Sequence, residues 1–177
     1  MLIVLFFIIA FLERTVFDLG PNVELITASM LLASVYLSRR QAFFLVLAVL
    51  AATDLFIGNS SIFIFTWSGF LLPALLLPHL LRRKSSLPLR ATGWGIVSNL
   101  FFFTWTNFGV WLLDSWNMYP NNIGGLMQSY IAGLPFLKHQ LASTLLFVPL
   151  VFLAYSLLTR LSHNIQIIHC QPRNTPA

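Results

Sequence analysis

The chain has 177 residues, of which 58% are hydrophobic and 8% charged, with a formal net charge of +5. A soluble domain carries roughly 25% charged residues, so this composition excludes a water-facing surface and points to lipid. The single cysteine, Cys170, excludes an internal disulfide framework and argues against a cysteine-based metal site. The basic residues form short runs rather than a face that tracks phosphates, which argues against nucleic acid.

The apolar pattern predicts an all-α integral membrane domain over residues 1–161, a bundle of six spans. The first span is about 2–17. Leu2–Leu12 are all apolar, and with neither a basic start nor a small-residue cleavage site the segment reads as a retained helix. Sixteen residues rise about 24 Å, short against a hydrocarbon core of roughly 30 Å. Arg14 and Asp18 stand four apart and are expected to pair. Gly20-Pro21-Asn22 breaks the chain, and proline suits the first turn of a second span at 21–37. The third span, 41–57, follows Ser38-Arg39-Arg40. The fourth, 62–81, contains Pro73 and Pro78, where kinks are expected. A basic loop leads to the fifth, 91–114, about 36 Å long. Residues 115–139 read as a long mixed loop, a lid or re-entrant piece on the membrane face. The sixth span is 141–161, and the polar tail 162–177 reads as disordered.

Six spans place Arg39, Arg40, Arg82, Arg83, Lys84, Arg90, Arg160 and Arg173 on one side and only Arg14 and Lys138 on the other. The positive-inside rule makes the first side cytoplasmic, with both termini on it, as in a bacterial inner-membrane protein. All five acids, Glu13, Asp18, Glu24, Asp54 and Asp114, fall near the opposite face.

The fifth span carries the strongest chemical signal. Asn99, Phe103, Thr106, Asn107, Val110 and Asp114 recur at helical spacing and form one stripe, flanked by Trp105 and Trp111. Polar groups in lipid must face other helices or a cavity. The stripe is therefore either a cavity wall, in which amides orient a ligand and aromatics stack on it, or interhelical glue beside a tryptophan belt. Asn22, Glu24 and Thr27 open the second span, where helix N–H groups favour anions; Glu24 equally suits the helix dipole alone. Asp54 lies near an interface, where a charge is tolerable without function. Tyr119 and Tyr130 either cap a pocket or anchor at the headgroups. His79 and His139 fall on opposite faces, His163 and His169 in the tail, so no metal set forms. No metalloprotease, nucleophile-elbow or phosphate-loop motif is present, and no cofactor is expected.

Thr106-Asn107-Phe108-Gly109-Val110-Trp111, Met118-Tyr119-Pro120, Gly125-Leu126 and Tyr130-Ile131-Ala132-Gly133-Leu134-Pro135-Phe136, with Pro21-Asn22, resemble an uncharacterised bacterial membrane family. That family is itself similar to the substrate-binding S components of energy-coupling factor transporters. The resemblance covers about residues 14–160. It implies a six-helix bundle with cytoplasmic ends, an outer ligand pocket, and as partners a transmembrane scaffold subunit and cytoplasmic ATPases. Two positions depart from the pattern: Ala10 has Arg14 four residues on instead of a second alanine, and Ala142-Ser143 replace a Gly-Asp pair. No N-terminal histidine pattern for nickel or cobalt is present.

The leading expectation is a substrate-binding subunit for uptake of a small vitamin-like solute, with Asn22, Glu24, Asn107 and Asp114 orienting it and Trp105, Trp111 and Tyr119 stacking on it. The alternatives are a non-transporting membrane scaffold or envelope-assembly protein of the same fold, and then an intramembrane enzyme. An open polar cavity in the outer half favours the first; a half packed shut favours the second.

Overall fold

The computed structural model describes residues 2–17, 25–58, 60–81, 87–114 and 117–170, and among them every regular element is helical. In chain order these are α1 (Leu2–Leu12), a π-helical turn (Glu13–Phe17), α2 (Ile26–Tyr36), α3 (Arg39–Ile57), α4 (Phe63–Leu81), α5 (Leu87–Leu113) and α6 (Ile123–Cys170). Four are long and apolar enough to cross a membrane: α3, α4, α5 and the Ile123–Arg160 part of α6. At 19 residues, α3 and α4 each rise about 28 Å, close to the hydrocarbon thickness. α2 is apolar but has only 11 residues, about 16 Å. The expected start of the second span, 21–24, lies outside the described residues, as does Asp18.

α6 departs most from the sequence reading. The expected lid at 115–139 is helix from Ile123 onward and runs unbroken into the expected sixth span. Asn122 explains where it starts. Its Oδ1 accepts the backbone N–H of Gly125 at 2.9 Å, which is the geometry of a helix N-cap. Pro135 and Pro149 lie inside the helix. Each costs a backbone hydrogen bond, but α5 and α6 form the most extensive helix pair of the fold, and that packing outweighs the loss. The helix also takes in residues 162–170, read from sequence as disordered tail. No glycine or proline interrupts that stretch. Residues 171–177 lie outside the described residues.

α2 is the centre of the core. Nine consecutive residues, Ile26–Ser34, are buried, which requires neighbours on every side of the helix. α1, α3, α4, α5 and α6 all touch it. Its buried Ser34 hydroxyl donates back to the Met30 carbonyl at 2.7 Å, so no donor is stranded. Val46, Val49 and Leu50 of α3, Phe70, Ala74 and Leu77 of α4, and Val148 and Phe152 of α6 complete this core. The opposite faces of these helices expose Phe44, Ile64, Leu76, Leu145, Leu146 and Leu150, an exterior compatible with a bilayer.

Helix ends are matched to specific acceptors. Leu25 occupies the N-cap position of α2 and has no capping side chain. Glu13 supplies an acceptor for that residue's own N–H from a distance: its Oε2 takes the Leu25 N–H at 3.1 Å while the residue is only 3% exposed. A carboxylate at a helix N-terminus is also favoured by the helix dipole. Ser38 and Gln41 form a capping box, which starts α3 two residues before the expected Gln41. The Arg90 guanidinium donates to the Leu80 carbonyl at 2.9 Å, satisfying an open end of α4 and tying it to the start of α5.

Halfway along α5, Asn99 clamps three helices together. Its Nδ2 donates to the Gln140 carbonyl at 3.0 Å and to Thr144 Oγ1 at 2.7 Å, both on α6. The Thr27 hydroxyl of α2 donates to its Oδ1 at a long 3.5 Å. One turn away, Gly95 lets α5 approach closely: a methyl there would stand 2.7 Å from Thr144 Cγ2 and 3.0 Å from Leu31 Cδ1.

Two outcomes follow for protein purified in detergent and melted. Asn99→Leu lowers the melting temperature through the loss of interhelical bonds worth about 1–2 kcal/mol; an unchanged melting temperature would show that the clamp carries no stability. Gly95→Ala costs about 1–3 kcal/mol by overpacking, and adding Thr144→Ser, which removes the opposing methyl but keeps the hydroxyl, restores part of the loss. A double variant no more stable than Gly95→Ala alone sinks the steric account.

Candidate ligand-binding cavity

At the end of the bundle where α3 finishes and α4 begins, α2 supplies no wall, and the remaining helices part around a cavity of about 410 Å³. Small-molecule sites span roughly 300–1,000 Å³. Leu50, Asp54 and Ile57 come from α3, and Thr66, Trp67 and Phe70 from α4. Phe102, Phe103, Thr106, Asn107 and Val110 come from α5, and Phe136, Leu137 and Gln140 from α6. Arg14 enters from the π-helical turn. Successive side chains on a helical turn point in different directions, so neighbouring Glu13 and Arg14 serve different elements: Glu13 accepts from the start of α2 and Arg14 reaches α3.

The charged groups of the cavity are held to one another. Arg14 Nη2 lies 3.8 Å from Asp54 Oδ1, with both side chains 16% exposed. The Trp67 indole N–H donates to Asp54 Oδ2 at 2.6 Å. Asp54 therefore has a cation at one oxygen and a donor at the other, and an ionised carboxylate in such a place needs both. The sequence reading paired Arg14 with Asp18, which lies outside the described residues; among the described residues Arg14 also reaches Asp54, forty residues away, because α1 and the π-helical turn pack along α3.

Uncharged polar groups line the rest of the wall. Thr106 and Thr66 donate their hydroxyls to the carbonyls of Phe102 and Phe63 in their own helices, at 2.8 and 3.0 Å, which leaves their oxygens as acceptors. Asn107 donates Nδ2 to the Phe103 carbonyl at 2.8 Å. Gly133 of α6 makes room for it, since a methyl there would stand 2.5 Å from Asn107 Oδ1. Gln140 is 5% exposed and lines the cavity, close to the Asn99 clamp through its backbone. Its carboxamide makes no hydrogen bond among the described residues.

Of the residues singled out from sequence, Asp54, Thr106 and Asn107 line this cavity, as do Phe103 and Val110 of the α5 stripe. Asn99 and Thr27 do not: both are buried in the three-helix clamp. Trp105 does not either. It lies in an aromatic row with Phe101 and Phe108 and donates its indole N–H to Ser68 Oγ at 2.7 Å. Trp111 extends that row and donates to the Pro120 carbonyl at 3.3 Å, holding the turn after α5. Asp114 ends α5 with φ 42°, and its carbonyl accepts the Asn117 N–H at 3.1 Å. Tyr119 is half-buried in the segment after α5. Tyr130 leans on Phe103, 5.9 Å between centroids, and donates to the Thr104 carbonyl at 3.2 Å. Asn22 and Glu24 lie outside the described residues.

Arg14, Trp67 and Gln140 went unnamed as site residues. For Arg14 the signal was available: a charge beside a fully apolar helix is a functional hypothesis by default, with a partner to be found. Gln140 was displaced by starting the sixth span at Leu141; its four-residue spacing from Thr144 marks a polar stripe once the helix is extended. Nothing local distinguishes Trp67 from an interfacial tryptophan.

No curated protein and no solved structure matches the chain. A family model matches residues 1–166, a range that holds every cavity-lining side chain, and the chain accordingly belongs to the family of unknown function DUF6580.

Proposed function

We propose that the chain is a membrane-embedded capture subunit that takes up a small, vitamin-like solute from the outer side of a bacterial inner membrane. In this reading α1 with its π-helical turn, α2 and the four long helices make six spans, arranged like the S component of an energy-coupling factor transporter. Both termini are cytoplasmic, on the side of the basic loops. A separate scaffold subunit and ATPases supply the energy, since the sequence carries no phosphate loop of its own.

One observation carries the proposal. The half of the bundle that the positive-inside rule puts outside holds an open cavity of about 410 Å³, with an ion pair, two amides and an aromatic wall, where a purely structural bundle would be closed. Polar side chains at membrane depth are costly, and here an ion pair, two threonines and two amides border one open volume. An acid–base enzyme is less well supported, because Asp54 is already committed to Trp67 and Arg14, and Asp114 does not line the cavity.

The test is ligand release. Protein purified in detergent from its own membranes is denatured, and the released small molecules are measured by mass spectrometry. Wild type is expected to release about one molecule per chain. Thr106→Trp, which places an indole in the cavity, is expected to release less than a tenth of that, and Thr106→Val to behave as wild type. An empty wild type, or equal release from Thr106→Trp, would move the assignment to a non-transporting scaffold.

A further inference from the structure

Charge is divided unevenly between the two ends of the bundle. At the cavity end, Glu13 stands in the π-helical turn, Asp54 in the last turn of α3 and Asp114 just after α5. The other two acids, Asp18 and Glu24, fall in the sequence between Phe17 and Leu25, a stretch that carries no base. Among the described residues the bases at this end are Arg14, in the cavity wall, and Lys138, beside the lining residue Leu137. Arg39, Arg40 and Arg90 stand at the starts of α3 and α5, at the opposite end. The remaining residues that join helices at the cavity end without being described, Asn59, Ser115 and Trp116, are uncharged. Five acids against two bases give this end a formal charge of −3, with His139 neutral. A field of that sign draws cations towards a cleft and repels anions.

The wall agrees with the field. Five aromatic side chains line the cavity, among them Trp67 and Phe103, and the faces of such rings attract cations. Thr66 gives its hydroxyl hydrogen to the Phe63 carbonyl of its own helix, so it offers a solute lone pairs and suits an N–H donor. Arg14 is the one base in the described wall, and Asp54 stands 3.8 Å from it. An anionic solute that approached the guanidinium would meet a carboxyl group at the same place. A cationic solute avoids the guanidinium by placing its charge on the α4 and α5 side, where Thr66, Trp67 and Phe103 lie.

Resting on the capture reading, we infer that the solute is an organic cation: a protonated amine or a quaternary ammonium group, held on the aromatic α4 and α5 side of the cavity, on a body small enough for about 410 Å³.

Four compounds on one benzyl body test the sign of the charge by calorimetric titration of the purified protein: benzylamine and benzyltrimethylammonium (cations), benzyl alcohol (uncharged) and phenylacetate (anion). Both cations are expected to bind roughly tenfold more tightly than benzyl alcohol, and phenylacetate more weakly than any of the three. The advantage of the cations shrinks as salt is raised. Phe103→Leu, which keeps an apolar side chain and removes the ring, reduces that advantage severalfold. Thr66→Val weakens benzylamine and leaves benzyltrimethylammonium, which has no N–H, as it was; a loss confined to one probe separates the lost acceptor from misfolding. An uncharged or anionic probe bound as tightly as the cations, or a preference unmoved by both variants, overturns the inference. Where none of the four binds, the molecule released on denaturation decides. A product with net positive charge at neutral pH supports the cation. Any other product overturns it and leaves capture standing. Release of nothing, with no probe bound, overturns both.

Discussion

A guanidinium and a carboxyl group inside an apolar bundle need polar partners in reach, and the Arg14–Asp54–Trp67 cluster meets that condition. Much of the architecture around the cavity follows. Arg14 must arrive from α1 at the level of the last turn of α3, which fixes how those two helices run together. Trp67 must stand at the start of α4 facing Asp54, which fixes the register of the α3–α4 pair. The space these three groups enclose cannot be filled by ordinary core side chains without burying the charges completely.

The two halves of the bundle therefore solve different problems. In the half around α2, nine buried residues in succession leave no room for anything but close packing, and the buried polar groups there answer one another, as Thr27, Asn99 and Thr144 do. In the half beyond α2, polar groups point at a volume. α5 and α6 serve both halves. Gly95 and Gly133 allow close approach at two levels of the same helix pair, one against Thr144 and the other against Asn107. The pair is drawn together tightly at the clamp and still leaves the α3 and α4 side open.

Composition and apolar runs made the helical, lipid-compatible class and the approximate place of most helices legible. The stripe on α5 was legible too, and its central residues do face the cavity: Phe103, Thr106, Asn107 and Val110. Its ends were not separable from its middle, because a 3.6-residue period shows which face a residue lies on and not which neighbour covers that face. Asn99 meets α2 and α6 there, and Asp114 ends the helix. The place of the tryptophans was not separable either: Trp105 and Trp111 sit on the adjacent face of α5, while the indole that lines the cavity comes from α4. Proline and paired glycines made residues 123–139 look like a loop, since local propensity weighs against a helix there. The decisive facts were the Asn122 cap and the partner surface of α5, and only the first is visible in sequence.

Glu13 also links two positions that are distant along the chain. It caps a helix to which it does not belong, and Leu25 cannot do so in its place. A change at either position alters what the other must supply. A homologue without a carboxylate at position 13 is therefore expected to bring another acceptor to that N–H, since a side chain at position 25 accepts from the second or third residue of the helix and not from its own N–H. Loss of the carboxylate at position 13 should therefore be correlated over evolutionary time with the arrival of such an acceptor elsewhere in the chain, wherever the fold brings a residue beside the start of α2.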